Sequence, residues 1–208
     1  GTEGAQALIL RSKGSKQIFI TQNEVDGGMT MQNEYMNFLN GSSAENGRVK
    51  LAIADMEKSG LSPETLDTAG IKLFNDKSDI LKKRLGFTSL NGNPILSVAV
   101  LMEIPYHDVE GHVLKHEYRL YPETDGRKYL HPLGSSAIPY SLSGIWDVRE
   151  KANKPLWITE GVKKVLKLTQ HGQHCIGLSG VYGFRAGKNE EGATLLCREL
   201  ESFSWKGR

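Results

Sequence analysis

Apolar and polar positions change rhythm several times along the chain. Residues 7–10 and 17–21 are two short apolar runs around the turn Ser12-Lys13-Gly14-Ser15, which predicts a hairpin. A stretch rich in Ser, Asn and Gly over 41–47 reads as a linker. Over 48–58, Val49, Ile53 and Met56 recur at helical spacing and Gly60 ends the pattern. Ser62-Pro63-Glu64-Thr65 then supplies an N-cap serine, a proline at the first helical position and an acid in the first turn, so a second short helix should run to Gly70. A short basic helix is expected over 79–85. Beyond it the period shortens: an apolar run over 94–102 extends through Ile104-Pro105-Tyr106 to an edge or bend. Asp108-Val109-Glu110-Gly111 is a turn, 112–120 a second strand, and Glu123-Thr124-Asp125-Gly126 a turn into 127–132. This part predicts an antiparallel meander.

The pattern changes again after a polar connection over 141–154, anchored by Trp146 and closed by Asn153-Lys154-Pro155. Residues 156–159 read as a short buried strand with Glu160 where it ends, and Gly161 turns the chain into a helix bearing Val162, Val165, Leu166 and Leu168 on one side. Gly172 ends that helix, 175–178 forms a second strand, and Ser179-Gly180 makes a tight turn. A strand, helix and strand joined this briefly should be a right-handed parallel unit. A glycine-rich loop over 182–192 and a last helix carrying Leu195, Leu196, Leu200 and Phe203 complete the chain. The expected fold class is α/β: an uncertain segment 1–47, an α+β part with an antiparallel meander over 48–154, and a partial parallel βαβ sheet over 155–208.

Composition narrows the function classes. With 208 residues, 38% hydrophobic and 24% charged, the chain is globular in kind, and nothing approaches the eighteen or so apolar residues of a membrane span. No signal peptide opens it, so a cytoplasmic location and no membrane partner are expected. Cys175 and Cys197 lack metal-ligand spacing and read as buried thiols. The net charge of +2 divides unevenly: residues 149–188 carry eight Lys/Arg against Glu150 and Glu160, a net +6, and the remainder nets −4. A polyanionic partner or a solvated helix face would each account for this. Glu24 and Asp26 could share a cation, although an acidic turn is the plainer reading. His112 and His116 would lie about 13 Å apart on a strand, too far for one metal. Arg119 and Lys128 fall on adjacent predicted strands beside Tyr118 and Tyr129, a mix of cations and rings that suits phosphates and bases or ordinary sheet packing.

The order strand, Glu-Gly, helix, Gly, strand, small-Gly loop resembles the first half of a TOPRIM domain. Ile104-Pro105-Tyr106, Gly111, Arg119, Lys128-Tyr129-Leu130 and Pro132 ahead of Ile158-Thr159-Glu160-Gly161, Gly172 and Leu178-Ser179-Gly180 are similar to the polymerase core of DnaG-type primases. Ser59 to Thr65, with Thr159-Glu160-Gly161 before Lys163-Lys164, looks closest to the primase-like proteins of plasmids and phages. The resemblance covers about residues 48–208. It implies that Glu160 is a catalytic and Mg²⁺-binding residue. It also implies that Arg119, Lys128, Tyr129, Lys163, Lys164 and Gly180 serve nucleic-acid binding. Two positions depart from the pattern, with Val162 and Lys164 where acids are found in relatives.

The resemblance further implies a fragment of a DNA replication protein that binds single-stranded DNA and nucleotides, with a replicative helicase domain or protein as a candidate partner. The paired aspartates of the family's Asp-x-Asp motif would fall after Arg208 and the zinc-binding domain before the primase core, so this piece is expected to be inactive while the longer protein makes primers by Mg-dependent nucleotidyl transfer. A non-catalytic binding module, or a TOPRIM nuclease or topoisomerase, is the alternative.

Overall fold

The computed structural model describes residues 29–30, 47–74, 84–86, 100–124 and 126–208. The expected hairpin over 7–21, Glu24 and Asp26, most of the 41–47 linker, most of the basic helix over 79–85 and the start of the strand over 94–102 lie outside the described residues.

The capping residues act as their chemistry dictates. Helix α1, Gly47–Lys58, buries Val49, Ala52, Ile53 and Met56 on one face. Helix α2, Pro63–Thr68, begins at Ser62, whose hydroxyl accepts the Thr65 N–H at 3.3 Å. Five antiparallel strands follow in spatial order: β1 (Met29–Thr30), β2 (Lys72–Phe74), β3 (Val100–His107), β4 (Val113–Thr124) and β5 (Arg127–Leu130). β1 and β2, two and three residues long, are too short to show a period in the sequence. The meander itself is as expected, with Pro105 carried inside β3 opposite His116.

Alternation along β3 sorts two faces. Val100, Met102, Ile104 and Tyr106 join α1 in one apolar cluster. On the other face Glu103 is buried but satisfied by the Tyr118 hydroxyl at 2.6 Å and by Arg84. His116 lies 3.7 Å from Glu103 while His112 meets Asp108 at 3.4 Å, so the two histidines have separate partners.

The second half forms the expected βαβ unit: β6 (Trp157–Glu160), α3 (Val162–Gln170) and β7 (Cys175–Leu178), with β6 and β7 parallel. α3 contributes Val162, Val165 and Leu166 to the same cluster that α1 and β3 build, so one core runs across position 154. Gln170 accepts hydrogen bonds from Ser62 N–H at 2.9 Å and the Thr65 hydroxyl at 3.1 Å, fastening α3 to α2. β7 is covered on both faces, Cys175 by the first cluster and Ile176 by a second one with Ile145, Trp146, Leu200 and Phe203. Trp146 is thus the anchor its position suggested, within a 3-10 helix over Ser143–Val148.

Three expectations change. β6 is not buried: Trp157 and Ile158 are 51% and 49% exposed, because among the described residues β6 pairs with β7 alone. The glycine-rich loop contains a strand, β8 (Arg185–Lys188), which pairs with β9 (Thr194–Leu196) through a turn in which Asn189 Oδ1 accepts the Ala193 N–H at 2.8 Å. The last helix therefore shrinks to α4, Arg198–Glu201, and Leu195 lies on a strand rather than a helix. Both cysteines are free and buried, and burial pushes the Cys175 thiol up to about 11. No helix among the described residues is long and apolar enough to cross a membrane.

Gly177 sets the separation of α3 and β7. A Cβ there would lie 2.6 Å from Val165 Cγ2 and 3.3 Å from the Gly161 carbonyl oxygen. Gly177→Ala is therefore expected to cost about 1–3 kcal/mol. At roughly 2–4 °C per kcal/mol for a chain of this size, calorimetry should show the loss as a lowered Tm.

Candidate functional site

Glu160 ends β6, and Gly161 at φ 85° turns the backbone into α3 where a side chain would be strained. Across the parallel pair, Gly180 at φ 90° closes the turn after β7, and Gly183 folds back on it with its N–H on the Gly180 carbonyl at 3.0 Å. Glu160 and Gly180, expected to belong to one site, both line a single cleft of about 200 Å³ at the carboxyl ends of β6 and β7. The antiparallel sheet lends it Tyr106, Glu117 and Tyr129, with His131 just past β5, and Tyr140 joins them from the edge of β7.

Glu117 is the acid that sequence reasoning missed. It is 6% exposed, accepts the Tyr106 hydroxyl at 2.9 Å and lies 3.4 Å from His131 Nδ1, both through Oε2. Burial raises its pKa above the usual carboxylate range, against the opposing pull of His131, the Tyr106 hydrogen bond, Lys115 and Arg119. Its one sequence signal is a carboxylate at an inward position of an alternating strand. Tyr140 is missed as well. It sits on the free edge of β7, exchanging backbone hydrogen bonds with Gly177 at 2.7 and 2.8 Å.

The expected cations separate. Arg119 is drawn inward: its Nη2 is 3.1 Å from Asp55 Oδ2, its Nη1 donates to the Tyr129 hydroxyl at 2.8 Å, and its guanidinium lies 5.0 and 5.2 Å from the Tyr121 and Tyr129 rings. Lys163, in the first turn of α3, reaches the same carboxylate at 2.7 Å, and the Tyr121 hydroxyl donates to it at 2.6 Å. Asp55 thus joins α1, β4 and α3. Lys128 points away from Arg119 and pairs with Glu123 at 3.2 Å, because in the register Arg119 faces Tyr129 rather than its neighbour. Lys164 is exposed.

The donor set does not complete a Mg²⁺ centre. Glu160 offers one carboxylate, Glu117 is buried and engaged, and no three His, Cys, Asp or Glu among the described residues group closely enough to hold an ion. Mg²⁺ needs several converging oxygens to give up its waters.

A family model described as a domain of unknown function, DUF3854, matches residues 145–208. None of the curated proteins matches the chain. Among solved structures, the DnaG primase catalytic domain bound to ssDNA is similar at 22% identity with a TM-score of 0.44, over 73% of this chain and 54% of that one. The Aquifex aeolicus primase, zinc-binding and RNA polymerase domains, is similar at 16% identity and a TM-score of 0.46, over 71% and 40%. The RNA polymerase domain of Mycobacterium tuberculosis DnaG is similar at 11% identity and a TM-score of 0.46, over 71% and 55%. The chain spans about half the length, or less, of these structures.

Asp55 carries a pH signature. Burial pushes its pKa up, but the hydrogen bonds from Lys163 and Tyr121 and the charges of Arg119 and Lys163 outweigh it and hold the carboxyl below its usual value. The stabilisation is fully present above the unfolded value of about 3.9 and is lost as pH falls through the lower folded value. Asp55→Asn should cost about 1–2 kcal/mol at neutral pH, and the gap to the native chain should close below about pH 4. Urea unfolding at a series of pH values measures both.

Proposed function

We propose that this chain is the nucleic-acid-binding part of a primase-like replication protein of the plasmid or phage type, acting in the cytoplasm. The observation that carries this reading is that Glu160 and the Gly180 turn line one cleft at the carboxyl end of a parallel strand pair, where α3 begins with Lys163 and Lys164 in its first turn. A strand running past this end would meet the exposed Lys164 and the partly exposed Lys163, with Lys128 further along the sheet. Phosphates pair with such cations, and the Tyr129 ring offers a wall for a base. Arg119 acts from behind this surface, holding Tyr129 and sharing Asp55 with Lys163. In the longer protein, primer synthesis by nucleotidyl transfer would use Glu160 as one of several carboxylates around Mg²⁺, and the described residues contribute that one corner.

A second reading, strand binding without chemistry, is favoured by the state of Glu117. Held by Tyr106 and His131, this acid is not free to join Glu160 around a cation.

Fluorescence anisotropy with labelled single-stranded DNA over a salt series tests the shared part. Log affinity should fall with log salt at roughly −0.7 per phosphate contact. Replacing Lys163 and Lys164 together by Ala should weaken binding and flatten that slope by about one to two contacts. Binding that ignores salt, or none at all, sinks the proposal. In the longer protein, Glu160→Gln should abolish primer synthesis and leave strand binding intact if the enzymatic reading is right.

A further inference from the structure

The cleft contains buried polar chemistry that neither Glu160 nor the glycine turns use. Tyr140 is 1% exposed and lines the cleft, yet its hydroxyl has no hydrogen-bond partner among the described residues. Buried hydroxyls are nearly always partnered, so an orphan at a cleft wall points to a group that arrives from outside. Among the described residues, Tyr140 is held by contacts that do not use that hydroxyl. The Tyr140 backbone is fixed by Gly177, and its ring packs edge-on against Tyr106 at 5.1 Å and 70°.

Glu117 stands on the same wall, and because Tyr106 and His131 both meet Oε2, neither engages Oε1. Around these two polar groups the sheet presents the rings of Tyr106 and Tyr129. The volume of about 200 Å³ lies below the ~300–1,000 Å³ of clefts that hold drug-sized molecules. A flat group of one ring system suits it. A bare cation does not, since Lys115 and Arg119 already bring positive charge toward Glu117.

The geometry points to a pocket for a single nucleobase carrying an exocyclic amino group, with Glu117 and Tyr140 as the residues that read its edge. This rests on the nucleic-acid reading above and sharpens it into a base preference. A carboxylate accepts from the amino group of adenine, cytosine or guanine. Thymine and uracil place a carbonyl oxygen there, setting lone pairs against lone pairs. The Tyr140 hydroxyl can donate to or accept from the neighbouring ring atom, and Tyr129 supplies a face for stacking.

The base can belong to a free nucleotide or to a strand, and two arms of one experiment separate them. The full chain is titrated calorimetrically with dAMP, dCMP, dGMP and dTMP, and by anisotropy with labelled dC and dT homopolymers at one salt concentration. At least one arm should favour the amino-bearing base by about tenfold or more, the scale of one good base-edge pair. Preference among nucleotides alone assigns the pocket to a free nucleotide, and preference among homopolymers assigns it to the strand. Tyr140→Phe should leave Tm unchanged and weaken binding of the preferred base several-fold, which a purely structural tyrosine would not do. Glu117→Gln, offering both an acceptor and a donor, should bring the thymine ligand within about twofold of the others. Equal binding of dC and dT together with equal binding of the four mononucleotides, or native base preference in Tyr140→Phe, overturns the base pocket, and a normal salt slope then leaves the nucleic-acid reading standing. Absence of both oligonucleotide and mononucleotide binding overturns both.

Discussion

The contact of α1, β4 and α3 fixes where everything else in the described molecule can be. Its energy is apolar: Val49, Ile53 and Met56 from one helix and Val165 and Leu166 from the other are buried in one cluster with the inner face of β3. Apolar burial is non-directional, however, and would tolerate several rotations of α3. Asp55 removes that freedom because it must satisfy Lys163, Arg119 and Tyr121 at once. The result sets the parallel pair against the antiparallel sheet so that Glu160, Gly180, Glu117 and Tyr140 line one narrow cleft.

That constraint also changes what a basic residue means here. Arg119 and Lys163 look alike in a charge count, and both point to a polyanion. The structure engages much of Arg119 internally, with two nitrogens bonded and two rings against the guanidinium. A cation as enclosed as Arg119 is held in place rather than left to search for a phosphate, so electrostatic attraction falls mainly to the more exposed lysines.

Local chemistry was legible in the sequence. Ser62 and Pro63 mark a helix start wherever they fall, and Glu160-Gly161 marks a strand-to-helix turn because a positive φ is needed there. The meander and the βαβ unit followed from period alone. The β8–β9 hairpin was missed because leucines at 195, 196 and 200 also fit a helix, although a glycine-bearing turn between two short runs was present at 189–192. Burial of β6 was misjudged because apolarity does not reveal whether a strand has neighbours on both edges. Asp55 carried no signal at all: its partners lie 66 and 108 residues further on. Tyr140 was invisible for the same reason and Glu117 nearly so, its inward place on a strand being the one signal, since a site assembled from a sheet and the end of a parallel pair exists only once the two have docked.

The two cysteines have a practical meaning beyond packing. Both thiols are buried and both are pushed up by that burial, so at neutral pH little thiolate is present and little of it is reachable. The chain therefore offers a quiet background for thiol chemistry. A pair of spin labels or fluorophores attached through cysteines introduced one on the exposed face of α1 and one on that of α3 would report the separation of the two helices directly, with the native sulfurs left in place.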